Sequence, residues 1–137
     1  MNKKQMVHEF HRFYGCDIGS VPKLPADNVR ELRKALIKEE FEEYLLGEKN
    51  NDLVEIVDAL GDLLYVIYGA CITYGLPIDE VFEEIHRSNL SKLGEDGKPL
   101  RRADGKIVKG PNYFPPNIKG ILEKFQNPRG QRNVTST

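Results

Sequence analysis

Apolar side chains recur every three or four residues over most of this chain, which is the spacing of an amphipathic helix. Glycine and proline interrupt the pattern between residues 15 and 25 and again at Gly75-Leu76-Pro77. Together with capping residues, these breakers predict five helices, over residues 2–14, 27–46, 52–74, 77 to about 92, and 118–125. The predicted class is all-α, with a four-helix core, an antiparallel acidic helix hairpin and a basic, loop-rich C-terminal extension.

The predicted helix ends rest on individual residues. Asp27 is predicted to cap the second helix, Gly47 to end it, and Asn51 or Asp52 to cap the third. Two Asp-Gly turns around residues 99–103 fit either a small β-hairpin or a mobile loop. We expect residues 1–126 to form one domain and residues 127–137 to be a disordered tail.

Acidic side chains mark the second and third helices at helical spacing. The second helix carries Glu39, Glu40 and Glu43 on one face, and the third carries Glu55, Asp58 and Asp62 on one stripe. If the turn between the helices is centred on Lys49, Glu43 lies level with Glu55, and Glu40 with Asp58. Four or five carboxylates then converge on one spot.

Converging carboxylates repel each other, and a divalent cation removes that cost. Mg²⁺ and Mn²⁺ prefer oxygen ligands, and Mg²⁺ is commonly shared between carboxylates and phosphates. A solvated acidic surface is the alternative, and it suits Glu42 and Glu48. It suits the third helix poorly, because that helix is apolar nearly all round and is expected to be buried.

The segments KEEFEEY and EIVDALGDLLY resemble the paired E-E-x-x-E and E-x-x-D motifs of the all-α nucleoside triphosphate pyrophosphohydrolases. That superfamily includes MazG-like enzymes, dimeric dUTPases and phosphoribosyl-ATP pyrophosphohydrolases, and the MazG-like branch is the most similar. The resemblance implies Mg²⁺-dependent hydrolysis of a nucleoside triphosphate to the monophosphate and pyrophosphate, in the housecleaning of nucleotide pools. It also implies a homodimer or homotetramer.

The resemblance assigns roles to individual residues. Glu39, Glu40, Glu43, Glu55 and Asp58 would bind Mg²⁺ (or Mn²⁺), with Asp62 as a further ligand or a supporting group. Glu39 or Glu40 would activate the water. Asn89 and Lys92, at the end of the fourth helix, and Lys109, in the segment K-G-P-N-Y-F-P-P, would contact phosphates or sugar.

The basic segment near residue 109 also has an interpretation independent of the resemblance. Asn112 and Tyr113 follow five cationic residues, and cations beside an aromatic ring suit a nucleotide. The alternative is a solvated loop whose rings dock it to the core. His8 and His11, on the first helix, are interpreted as surface or packing residues.

Charge is divided unevenly along the chain, with a net charge of −8 over residues 1–85 and +7 over residues 86–137. The acidic half can hold cations, and the basic half phosphates. A basic segment can also bind nucleic acid, but the sequence contains no recognisable nucleic-acid-binding module. Nucleic acid is therefore not expected as a partner. The uninterrupted apolar run 63–72 is too short for a bilayer, and two isolated cysteines fit a reduced, cytoplasmic protein.

Two alternatives to a nucleoside triphosphate pyrophosphohydrolase stay open. One is an enzyme that acts on phosphoribosyl-ATP. The other is a non-catalytic helical regulator that binds metal or nucleotide and is stabilised by the metal.

Overall fold

The chain folds into five helices and one short hairpin over residues 1–127, which a computed structural model describes. The elements are α1 (Lys3–Tyr14), α2 (Asp27–Lys49), α3 (Leu53–Thr73), α4 (Ile78–Leu90), β1 (Leu100–Arg101), β2 (Ile107–Val108) and α5 (Ile118–Gln126). The predicted all-α class is confirmed. Except for Asn127, the predicted disordered tail lies outside the described residues.

Contacts divide the chain into two compact units, one over Met1–Leu76 and one beginning at Pro77. The first unit contains α1, α2 and α3, and the second contains α4, the hairpin and α5. The single domain over residues 1–126 and the grouping of four helices in one core therefore stay predictions.

Helix α1 has defined signals at both ends. Asn2 and Gln5 form a capping box, in which each side chain accepts the other residue's backbone N–H at 2.8 Å. Gly15 ends the helix in the left-handed region, with φ of 68°. The ring of Phe10 packs edge-on against Tyr65 of α3 at 5.7 Å between centroids, which joins α1 to α3.

Helices α2 and α3 form the main contact of the first unit. The prediction that α2 ends at Gly47 was wrong, because the helix continues to Lys49. Gly47 is buried where α3 passes closely, and a Cβ there would lie 3.1 Å from the backbone nitrogen of Ile56. The missing side chain thus allows a close helix approach instead of ending the helix.

The other predicted caps had mixed outcomes. Asp52 caps α3 as predicted, accepting the backbone N–H of Glu55 at 3.2 Å. Asp27 is the first residue of α2 and not its cap. The cap position is Ala26, which makes no side-chain hydrogen bond.

Helix α3 is less buried in this chain than its composition predicts. Ala59, Cys71 and Ile72 are buried, but Leu53, Val54 and Val57 are 72%, 80% and 60% exposed. The helix as a whole, unlike its uninterrupted apolar run, is long and apolar enough to cross a membrane, with a mean hydropathy of 1.6. The core helix of a soluble protein can be equally long and apolar.

In the second unit, β1 and β2 pair antiparallel with Leu100 opposite Val108. Of the two predicted forms of this segment, the hairpin is the one observed. Helix α5 begins after Asn117, whose side chain accepts the backbone N–H of Gly120 at 3.1 Å. The backbone N–H of Asn117 donates to Glu84 of α4 at 2.6 Å, which ties α5 to α4.

Candidate metal site and basic segment

The packing of α2 on α3 brings three of the six predicted metal ligands together. One carboxylate oxygen from each of Glu40, Glu43 and Asp62 lies within 4.8 Å of the others. Sequence reasoning placed Asp58 opposite Glu40, because it centred the turn on Lys49. The turn is instead centred near Asn51, since α2 is longer than predicted, and Asp62 becomes level with Glu40.

The electrostatics of the cluster are those of crowded acids. The pKa of Glu40 is raised to about 7, first by burial and then by a hydrogen bond and charge repulsion from Glu43, with further repulsion from Asp62 and Glu39. Burial and the charges of Asp58 and Glu43 raise the pKa of Asp62 as well. Without a cation, Glu40 therefore binds a proton more readily than an ordinary glutamate does.

The residues present fit a divalent cation. The Oε2 atom of Glu40 is buried and has no hydrogen-bond partner among the described residues. A cation would satisfy this oxygen and would also remove the repulsion that raises the two pKa values. All three donors are carboxylate oxygens, which suits a hard ion such as Mg²⁺ or Mn²⁺.

The other three predicted ligands lie outside this three-residue cluster. Glu39 and Asp58 are close enough for their charges to raise the pKa values of Glu40 and Asp62 respectively. The side chain of Glu55 lies nearer the turn, where its Cγ would be 3.2 Å from a Cβ on Gly47. Direct ligation by these residues stays a prediction.

In the second unit, the structure brings two of the predicted substrate-binding residues together. The ammonium of Lys109 lies 4.7 Å from the centre of the Tyr113 ring, a cation–π contact. Asn89 and Asn112 are exposed, and Lys92 is half-buried just after α4. Substrate binding by these residues stays a prediction.

Two serines that sequence reasoning did not select attach the basic segment to α4. Ser88 Oγ donates to the carbonyl oxygen of Phe114 at 2.8 Å, and the backbone N–H of Phe114 donates to Ser91 Oγ at 3.1 Å. The guanidinium of Arg87 lies 4.4 Å from the centre of the Phe114 ring. The only sequence signal for this attachment was that Ser88 and Ser91 are three residues apart at the end of a helix.

A buried histidine–arginine pair in the first unit was only partly anticipated. His11 is a packing residue, one of the two alternatives for it, and is 2% exposed. Its partner Arg33, on α2, is 9% exposed and was not selected from the sequence. The two side chains line a cavity of about 400 Å³ in the first unit.

Converging carboxylates on a packed helix pair define a class, the all-α proteins with an acidic cluster that fits a divalent metal. The family model for phosphoribosyl-ATP pyrophosphohydrolases matches residues 7–89. The match covers more than half of the chain, which therefore belongs to that family. The predicted resemblance to the all-α pyrophosphohydrolases is confirmed. Pyrophosphohydrolases of this type generally use divalent metals.

Curated relatives include proteins with and without an assigned activity. An uncharacterized protein of Acanthamoeba polyphaga mimivirus is 36% identical over 130 residues, which is 90% of this chain and 49% of its own length. Phosphoribosyl-ATP pyrophosphatases of Bacillus cereus and Bacillus anthracis are 33% identical over 61 residues, 43% of this chain and 57% of theirs. This chain thus spans about half the length of the curated relatives it matches.

Among solved structures, a proposed NTP pyrophosphohydrolase from Exiguobacterium sp. 255-15 matches over 98% of both chains, with a TM-score of 0.48 and 24% identity. Proteins this distant need not share an activity or a substrate.

Proposed function

We propose that this protein hydrolyses a nucleoside triphosphate to the nucleoside monophosphate and pyrophosphate, with Mg²⁺ as its cofactor. The observation that carries the proposal is the cluster of Glu40, Glu43 and Asp62, which lies within the part of the chain that matches the family. The pyrophosphohydrolase description of that family supports the reaction type. Housecleaning of unwanted nucleotides is the proposed role.

The carboxylates are proposed to hold the metal and to handle the proton of the attacking water. Glu40, Glu43 and Asp62 would be ligands, with Glu39, Glu55 and Asp58 completing the set or supporting it. Bound Mg²⁺ would supply charge neutralisation for the triphosphate as the α-phosphorus is attacked.

Glu40 or Glu39 would accept a proton from the water. The base would be whichever of these two carboxylates is not fully used in metal coordination. The proton removed from water would pass to this carboxylate, and the pyrophosphate would leave from the α-phosphorus.

Residues at the end of α4 and in the basic segment are proposed to contact the substrate. Lys92 and Lys109 would bind phosphate oxygens through their ammonium groups. Tyr113 carries a ring beside Lys109 and would contact the nucleotide, and Asn89 and Asn112 would donate hydrogen bonds. The contact between Lys109 and Tyr113 supports a shared role for these two residues.

Phosphoribosyl-ATP is the second candidate substrate. The description of the matching family and the activity named for the two Bacillus relatives favour it. The matched residues end at 89, however, and the segment that contains Lys109 and Tyr113 most resembles the MazG-like branch. We therefore place a free nucleoside triphosphate first.

A homodimer or homotetramer is proposed as the working form, in a soluble, cytoplasmic protein. The exposed apolar side chains of α3, which include Leu53, Val54 and Val57, support this proposal. A second copy of the chain that covered them would remove this surface from water. A residue from the partner could then complete the active site.

A product assay tests the proposed reaction. The protein is incubated with canonical and modified nucleoside triphosphates and with phosphoribosyl-ATP, with Mg²⁺ or with EDTA, and the products are separated by ion exchange. Monophosphate and pyrophosphate that disappear with EDTA are the expected result. Orthophosphate would contradict the proposal, and turnover of phosphoribosyl-ATP alone would favour the second candidate.

Variants connect that assay to the cluster. Glu40→Gln and Asp62→Asn remove one charge each at nearly constant shape, and both should abolish turnover. Glu42→Gln is the matched control, because Glu42 lies on the same helix but is exposed and 3.8 Å from Lys38. Binding of metal without any turnover on the panel would favour the non-catalytic regulator.

A further inference from the structure

The cavity of about 400 Å³ lies between α1, α2 and α3, in the first unit. Its walls are mostly apolar, with Val7, Phe10 and Val66 among the lining residues. The volume lies within the range of small-molecule sites in proteins, which combine apolar walls with a few polar groups. The polar groups of its lining include Arg33, His11, Asp17 and Thr73.

Arg33 is a buried cation without an acidic partner. It is 9% exposed, and the structure shows no ion pair to it within residues 1–127. Its Nε atom is buried and has no hydrogen-bond partner in that part of the chain. A guanidinium carries five N–H donors, and leaving a buried charge without acceptors is costly. At least one donor of this buried guanidinium, the Nε–H, therefore has no acceptor among the described residues.

His11 fixes the position of this guanidinium. Its Nδ1 lies 3.0 Å from the carbonyl oxygen of Asp17 and must be the donor, so that Nε2 is left as an acceptor. Nη1 of Arg33 donates to that Nε2 at 3.4 Å. Burial lowers the pKa of His11, so the imidazole is neutral and does not repel Arg33.

Gly69 of α3 gives the pair its space. A Cβ there would lie 3.1 and 3.3 Å from the two terminal nitrogens of Arg33, and 3.2 Å from Nε2 of His11. The absence of a side chain allows both groups to lie directly on the helix.

The cavity begins one helical turn from the carboxylate cluster. Leu36 lines it and precedes Glu40 by four residues on α2, and Tyr65 lines it three residues after Asp62 on α3. Arg33 is seven residues from Glu40, which is roughly 10 Å along a helix. A nucleotide whose α-phosphate lay at the cluster would place its base in this cavity.

We propose that the cavity binds the nucleobase and that Arg33 is a specificity-determining residue, selecting bases that present carbonyl oxygens. This inference rests on the proposed function. A guanidinium donates to the adjacent O6 and N7 of a 6-oxopurine, whereas adenine presents an amino donor in place of O6. The same contrast separates the 4-oxo group of uracil from the 4-amino group of cytosine. Phe10 and Tyr65 supply aromatic rings for stacking.

The test compares matched nucleotides. kcat/KM is measured for GTP against ATP and for dUTP against dCTP, in the wild type, in Arg33→Met and in Arg30→Met. Arg30 is the matched control, because it is on the same helix and its side chain is 40% exposed beside Asp27. The wild type should favour the carbonyl base of each pair. Arg33→Met should lower kcat/KM for those bases by roughly ten- to hundredfold, and much less for the amino bases.

Binding measurements keep the inference separate from the proposed reaction. Calorimetric titration with GMP, AMP, dUMP and dCMP requires no turnover, so a preference for GMP and dUMP that Arg33→Met removes would support the inference even if hydrolysis were absent. Equal binding within both pairs would overturn it, as would an equal loss for all four nucleotides in Arg33→Met.

A second variant covers the case in which Arg33→Met fails to fold. Gly69→Ala keeps the charge but crowds the guanidinium, and alanine favours a helix more than glycine does. It should reduce the preference for carbonyl bases. A folded Gly69→Ala protein with the full wild-type preference would contradict the placement of the base.

Discussion

Metal affinity should depend on pH through Glu40, whose pKa of about 7 is set by burial and by its acidic neighbours. The metal binds the deprotonated carboxylate, so binding releases the proton that Glu40 otherwise holds. With that pKa, about one tenth of the molecules are deprotonated at pH 6 and about nine tenths at pH 8. The apparent affinity for Mg²⁺ should then rise about tenfold between these pH values.

Isothermal titration calorimetry with Mg²⁺, or with Mn²⁺ where binding is weak, measures this dependence. Repeating the titration in buffers of different ionisation enthalpy counts the protons released. Glu40→Gln has no proton to lose there and should bind weakly with little dependence on pH, whereas Glu42→Gln should behave as the wild type. A wild-type affinity that is constant from pH 6 to pH 8 would refute the reasoning, as would an unchanged dependence in Glu40→Gln.

The same raised pKa predicts how stability depends on pH without metal. The folded state binds the Glu40 proton more tightly than the unfolded chain, whose ordinary value is 4.5. The free energy of unfolding should therefore fall as pH rises from 4.5 to about 7, and this contribution should level off above that. Urea unfolding at several pH values in EDTA measures it, with Glu40→Gln as the variant that lacks the dependence.

Three further predictions concern ligation, packing and assembly. Mg²⁺ at one hundred times the wild-type Kd should stabilise the wild type by about 2.7 kcal/mol in thermal unfolding. An equal gain in Asp62→Asn at the same Mg²⁺ concentration would exclude Asp62 as a ligand. Gly47→Val should lower the free energy of unfolding by about 1–3 kcal/mol, because its side chain would meet Ile56 of α3; an unchanged urea midpoint would argue against the close approach. Val57 is 60% exposed, and Val57→Asp should convert the oligomer to a monomer in analytical ultracentrifugation. An unchanged sedimentation coefficient would show that this part of α3 does not lie in the subunit interface.

The helices could be predicted from the sequence because their signals are local. Periodic apolar residues and the breakers around Gly15 and Gly75-Leu76-Pro77 are read within a few residues of each helix end. Gly47 misled the prediction because glycine is common both at helix ends and where two helices approach closely. Only the position of Ile56 on the neighbouring helix distinguishes the two cases.

The candidate site was predictable as a set of acids but not in its register. Helical spacing identified the faces of α2 and α3, whereas the pairing across them depended on the length of α2. An error of a few residues in that length exchanged Asp58 for Asp62 opposite Glu40. The buried pair of His11 and Arg33 is formed by residues 22 positions apart, and no local pattern in the sequence joins them.

Isotope labelling during turnover tests the central claim most directly. A nucleoside triphosphate that the product assay identifies as a substrate is hydrolysed in water enriched in ¹⁸O, and both products are examined by mass spectrometry. Attack on the α-phosphorus predicts one ¹⁸O atom in the monophosphate and none in the pyrophosphate. Label in the pyrophosphate would place the attack on the β-phosphorus and would contradict the account.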